Sequence, residues 1–171
     1  MKPPTPSLLV LIFMGVSGSG KTAVGTLFAK RTGAIFFEGD EFHPPHNIEK
    51  MRRGVPLTDE DRRQWLRTLR EIIARSLDRG VFTVVACSAL KTAYRDMLQN
   101  GDARVQFVHL TGPRALIAER LRARKNHFMP PTLLDSQLET LEPPTNALTF
   151  SCEQSPEAIV TALIQALAIG N

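Results

Sequence analysis

Gly15-Val16-Ser17-Gly18-Ser19-Gly20-Lys21-Thr22 fits the pattern G-x-x-x-x-G-K-[ST]. Glycines at these spacings let successive backbone N–H groups turn inward around phosphate oxygens. A helix starting at Lys21 aims the positive end of its dipole at the same anion. Within the pattern, the Lys21 ammonium meets the β and γ phosphates of a nucleotide and the Thr22 hydroxyl ligates Mg²⁺. All eight residues are therefore candidate ATP phosphate ligands. The flanks agree with this reading. Leu8 to Met14 is continuously apolar, which suits a central parallel strand buried on both faces. Lys21 to Arg31 reads as a helix closed by Gly33.

Working outward, strand and helix patterns alternate. Ala34 to Phe37 forms a second strand, followed by Glu38, Gly39 and Asp40. Phe42 to Pro56 is proline-rich and irregular, with room for one or two helical turns. Thr58 and Asp61 form a capping-box pattern ahead of a helix that runs to about Asp78 and stops at Gly80. Trp65, Leu69, Ile72, Ile73 and Leu77 give that helix an apolar stripe. Val81–Ala86, Val105–Leu110 and Ala147–Cys152 read as further strands. Helices are expected over Thr92–Gln99, from Pro113 to about Lys125, near Thr132–Thr140 and from Ser155 onward. This rhythm specifies an α/β fold: a five-stranded parallel sheet with helices on both faces. An order of 2-3-1-4-5 places strands three and five about 14 Å apart. Cys87 and Cys152 would then be too far apart to bond.

The length of 171 residues fits one domain. Met1 to Ser7, with three prolines, reads as a mobile tail. Hydrophobic residues at 43% and charged residues at 22% exclude a disordered chain. The longest apolar run falls far short of the ~20 residues of a membrane span, so no membrane association is expected. Two cysteines without a disulfide framework point to a reduced, cytoplasmic setting. The net charge of +4 favours anionic partners without choosing among them.

Neither the Asn-Lys-x-Asp segment nor the Asp-x-x-Gly of a GTPase occurs. A small metabolite or nucleotide kinase fits the length best. Glu38 and Asp40, two apart at the end of the second strand, would share one strand face at the ligand crevice. Two carboxylates there can divide labour, one holding Mg²⁺ and one orienting the attacking hydroxyl. His43 and His46 are poor metal ligands, because Pro44 and Pro45 keep one regular helix from presenting both rings. A hydrogen bond from His43 to a polyol is the better reading. Arg120 and Arg124, four apart on a basic helix, share a face and can stabilise a moving phosphoryl group. That helix lacks the interleaved aromatics of a nucleic-acid surface, so no nucleic-acid partner is expected.

Several blocks stand in register along the chain. They are Glu38-Gly-Asp-Glu-Phe-His-Pro44, Asn47-Ile-Glu-Lys-Met51, Gly54-Val-Pro-Leu-Thr-Asp-Glu-Asp-Arg62 and Trp65-Leu66. Cys87-Ser-Ala-Leu-Lys91 with Tyr94-Arg95 follows, then His127-Phe-Met-Pro130, Ser136-Gln137 and Thr140-Leu-Glu-Pro143. Over about Leu8 to Pro144 the chain resembles the gluconate kinase family. The resemblance implies ATP-dependent phosphorylation of D-gluconate to 6-phosphogluconate on a nucleoside-monophosphate-kinase-like fold, with a homodimer as the assembly. It implies a lid near residues 125–131 carrying His127 as a substrate contact. It also raises Arg62 and Lys91, with Arg95 behind them, as cations for the gluconate carboxylate. Asn126 stands where the family usually has glycine. The site implied is catalytic Lys21, Asp40, Arg120 and Arg124, substrate contacts Asp40, His43, Arg62, Lys91 and His127, and metal ligands Thr22 and Glu38.

Overall fold

The computed structural model describes residues 8–125 and 127–169. The tail Met1–Ser7 and Asn126 lie outside them. Five parallel strands pair in the order β2-β3-β1-β4-β5: β1 (Val10–Met14), β2 (Ile35–Glu38), β3 (Thr83–Ala86), β4 (Val105–Thr111) and β5 (Leu148–Ser151). Helices α1 (Lys21–Thr32), α2 (Pro45–Arg52), α3 (Asp59–Arg79), α4 (Thr92–Gln99), α5 (Arg114–Ala123) and α6 (Leu134–Thr140) fill the crossovers, and α7 (Pro156–Ala166) follows β5. The expected sheet order is the one found.

β1 shows why its sequence has no polar alternation. All five of its residues are fully buried. Val10, Ile12 and Met14 pack into a cluster with Trp65, Leu69 and Ile73 of α3 and Leu98 of α4. Leu11 and Phe13 point the other way, toward Val24 and Phe28 of α1 and Ile159, Val160 and Leu163 of α7. A central strand covered on both faces leaves no position for a polar side chain. Cys87 and Cys152 are both buried and free, as the strand order requires.

The strand-to-helix loops gather at the carboxyl edge of the sheet, where open α/β folds bind ligands. Two glycines permit the crowding there. A Cβ on Gly15, which has φ +138°, would lie 2.4 Å from the Leu110 carbonyl oxygen. One on Gly39 would lie 2.2 Å from that of Ala86.

The start of α3 is set by the capping box read from the sequence. Thr58 Oγ accepts from the Asp61 amide at 3.2 Å, and the Asp61 carboxylate accepts from the Thr58 amide at 2.7 Å. Lys50 of α2 adds an ion pair to the same carboxylate at 2.6 Å. The Lys50 and Thr58 hydrogen bonds hold the Asp61 carboxyl well below its ordinary value, at about 2. A folded-state pKa below the unfolded one stabilises the fold above the unfolded value of 3.8, and that contribution is lost as pH falls toward 2. Thr58→Ala lowers unfolding stability by about 1 kcal/mol, read from urea titrations at neutral pH. Asp61→Asn flattens the acid limb between about pH 4 and pH 2, whereas an unchanged acid limb would show that this carboxylate contributes nothing there.

Candidate active site

The turn from β1 to α1 wraps the phosphate loop. Gly18 and Gly20 sit at φ +83° and +97°, which turns the amides between them to one side. The Lys21 ammonium folds back over the loop, donating to the carbonyls of Gly15 at 3.0 Å and Val16 at 2.9 Å. Burial pushes its pKa down, while the nearby Asp40 and Glu38 carboxylates push it up. The buried Ser19 hydroxyl has no hydrogen-bond partner among the described residues. These turned amides, the adjoining cation and the spare hydroxyl suit a polyanion's oxygens.

Both arginines of the basic helix reach this loop. Arg120 donates to the Cys152 carbonyl at 2.7 Å and lies beside Gly20. α5 ends at Ala123, two residues short of the expected limit. Arg124 therefore leaves the helix in an extended conformation, and its guanidinium lies 3.4 Å from Ser17 Oγ.

The two carboxylates meet by a different route from the one expected. β2 ends at Glu38, and Asp40 lies in the 3₁₀ turn Gly39–Phe42 rather than on the strand. The turn still brings them together, because Glu38 accepts from the Asp40 amide at 3.4 Å. Glu38 also accepts from the Thr22 hydroxyl. Burial raises the Glu38 pKa, and the Thr22 hydrogen bond opposes that rise. Thr22 and Glu38 thus form a pair of hard oxygen donors at the start of α1. Trp65 fixes the turn from below, its indole N–H donating to the Gly39 carbonyl at 2.7 Å.

A cavity opens between the phosphate loop and α3. Ser17, Lys21, Asp40, His43, Arg62, Ser88, Ser136 and Gln137 supply its polar lining, and Met51, Leu57, Trp65, Leu90, Met129 and Leu133 its apolar walls. Arg62 is held by the Leu57 carbonyl at 2.7 Å and the Tyr94 hydroxyl at 3.3 Å. His43 stacks on Trp65 with ring centres 4.1 Å apart, and burial lowers its pKa to about 4. At neutral pH it is an uncharged imidazole.

Lys91 is not brought into this cavity. Its ammonium is paired with Asp59 at 2.9 Å, and Asp59 also accepts from the Tyr94 hydroxyl. Arg95 is buried and structural. It donates to the carbonyls of Ala89, Leu90 and Glu142 at 2.9 to 3.1 Å, which ties α4 to the loop after β3. His127 faces a neighbouring cleft with Lys21, Thr22, Glu38, Asp40 and Arg124, its Nε2 3.9 Å from Asp40.

Sequence reasoning did not assign Gln137 a role. Its side-chain oxygen accepts from the Ser17 amide at 2.7 Å, and its nitrogen contacts Met129 Sδ at 3.0 Å. It therefore links α6, the segment after His127 and the phosphate loop. Ser17 and Gln137 are 120 positions apart, so no local pattern signals the contact. Ser88, Ser136 and Met129 likewise enter the lining only through the tertiary fold.

Residues 10–144 match the family model described as an AAA domain. The chain is 44% identical over 158 residues to a gluconokinase of Gluconobacter oxydans, covering 91% of this chain and 89% of that protein. Among solved structures, a sugar kinase from Janibacter superposes with a TM-score of 0.88 at 46% identity, covering 95% of this chain and 96% of that one. A gluconokinase from Sinorhizobium meliloti superposes with a TM-score of 0.81 at 43% identity, over 97% and 94% of the two chains.

Proposed function

We propose that this chain, which belongs to the gluconokinase family, transfers the terminal phosphoryl group of ATP to D-gluconate, giving 6-phospho-D-gluconate and ADP. One observation carries the reading: the cavity that touches the phosphate loop through Ser17 and Lys21 also holds a carboxylate, Asp40, and a cation, Arg62. Such a cavity suits an acceptor with an anionic head and a chain of hydroxyls.

The roles follow from charge and position. Asp40 accepts the proton side of the attacking hydroxyl and aims its oxygen at the γ-phosphorus. Lys21, Arg120 and Arg124 offset negative charge as the phosphoryl group moves. Arg62 takes the gluconate carboxylate, because its guanidinium reaches the cavity while the Lys91 ammonium is spent on Asp59. His43 and His127 contact substrate hydroxyls. Residues 125–131 act as a lid that excludes water from the transfer. Thr22 and Glu38 fit Mg²⁺, an ion that takes oxygen ligands and keeps several waters. When bound there it supplies positive charge to the β and γ phosphate oxygens. The assignment to one cytoplasmic catalytic domain, working as a homodimer without nucleic acid or membrane, rests on composition and family resemblance. No helix among the described residues is long and apolar enough to cross a membrane.

A panel of small acids scored by ADP release tests the activity. Release that depends on D-gluconate, with little from shikimate or other sugar acids, is the expected result; its absence overturns the reading. Asp40→Asn keeps ATP binding while kcat falls about 10²- to 10⁴-fold. Loss of ATP affinity with little change in kcat would assign Asp40 to the metal instead. Arg62→Met raises KM for gluconate by about tenfold or more, as expected for a lost charge-assisted contact. Lys91→Met changes it by no more than about threefold, because a partly exposed ion pair contributes little.

A further inference from the structure

Asn47 is fully buried, in the first turn of α2. Its side-chain nitrogen donates to the Asp61 carbonyl of α3 at 2.8 Å. A carbonyl oxygen can only accept, so this contact settles which end of the amide carries the protons. The flipped amide would set its oxygen against the Asp61 oxygen. The same nitrogen lies 3.4 Å from His43 Nδ1. Its second proton faces that ring nitrogen, which must then present a lone pair.

We propose that Asn47 fixes His43 in the tautomer protonated on Nε2, which makes His43 a standing hydrogen-bond donor to a gluconate hydroxyl between Asp40 and Arg62. The chain of constraint runs from a backbone carbonyl, through one amide, to the ring. Trp65 sets the plane of the imidazole by stacking at an interplanar angle of 16°, and Asn47 sets which edge bears hydrogen. Nε2 makes no hydrogen bond within the described residues and is the ring's remaining polar atom, on a side chain that lines the cavity.

Charge in the pocket favours the same arrangement. Asp40 and Arg62 are the charged groups whose fields reach the ring. An ionised Asp40 only accepts and Arg62 only donates. The hydroxyl that gives its proton to Asp40 keeps its lone pair for phosphorus, and a neighbouring gluconate hydroxyl takes the Nε2–H. The opposite tautomer would place a second lone pair near the carboxylate, where two acceptors compete for one proton. Asn47 is thus a positioning residue, acting on substrate only through His43. The substrate part of this inference rests on the gluconate reading above, whereas the tautomer does not.

The test separates the two. Long-range ¹H–¹⁵N correlation spectra of the nitrogen-labelled free protein at neutral pH report which ring nitrogen is protonated. The His43 signals are assigned by their disappearance in His43→Phe. The expected result is a protonated Nε2 and a bare Nδ1 in the unsubstituted protein. A protonated Nδ1 overturns the proposal whether or not Asn47→Asp folds. Asn47→Asp presents a carboxylate to Nδ1 and is expected to draw the proton there. It should raise KM for gluconate about tenfold, the effect of one lost hydrogen bond, with KM for ATP within about twofold. An unchanged tautomer in Asn47→Asp removes Asn47 from the role. A changed tautomer with unchanged KM for gluconate removes the donor from substrate binding. A protein that releases no ADP with gluconate, yet has the expected tautomer, refutes the substrate and leaves the positioning of His43 standing.

Discussion

The constraint on which the rest depends is the reversal of direction at the end of β1. A strand buried on both faces must leave the sheet and enter a helix within six residues, Gly15 to Gly20. It must do so while passing the Leu110 carbonyl so closely that Gly15 has no room for a side chain. That compression turns the amides inward and sets the Lys21 ammonium over its own loop. The carboxyl ends of β2, β3 and β4 then border the same crevice by virtue of the parallel sheet.

Electrostatics follows from that packing. Lys21 loses hydration, and the cost is offset by two loop carbonyls and by the fields of Asp40 and Glu38. Glu38 loses hydration too, and it recovers part of the loss from Thr22 and the Asp40 amide. Arg124 adds positive charge beside Lys21. An arrangement that crowds cations around a loop of amides is favourable once a polyanion joins them, and Arg120 and Arg124 lie beside that loop.

Local rules are enough to read the loop and the capping box of α3, whereas the strand order comes with the fold that the family resemblance implies and in turn separates the two cysteines. The loop and the cap depend on neighbours in sequence, and the cysteine separation on the fixed spacing of strands. The period of two puts Asp40 on a strand face two residues past the end of β2, where the chain has already tightened into a 3₁₀ turn. The family resemblance raises Lys91 as a substrate cation, whereas its ammonium meets Asp59, 32 positions away in sequence. The role of Gln137 is not legible in the sequence, because its partner is a backbone amide and a main-chain donor leaves no trace in residue identity.

The Arg62 environment shows what this means for the acceptor pocket. Arg62 is oriented by the Leu57 carbonyl and the Tyr94 hydroxyl, Tyr94 by Asp59, and Asp59 by Lys91. Leu57 ties Arg62 to the segment before α3, and the Tyr94 and Lys91 links tie α3 to α4 and its N-cap, so the guanidinium keeps its direction only while those elements stay packed. His43 is held by Trp65 and Asn47 in the same manner. The groups that would touch the acceptor are few, and most of the surrounding polar residues hold those few in place. This explains why long blocks of sequence around the cavity, and not the phosphate loop alone, carry the identity of the family: discrimination among acceptors lies in side-chain directions, and directions require supporting partners.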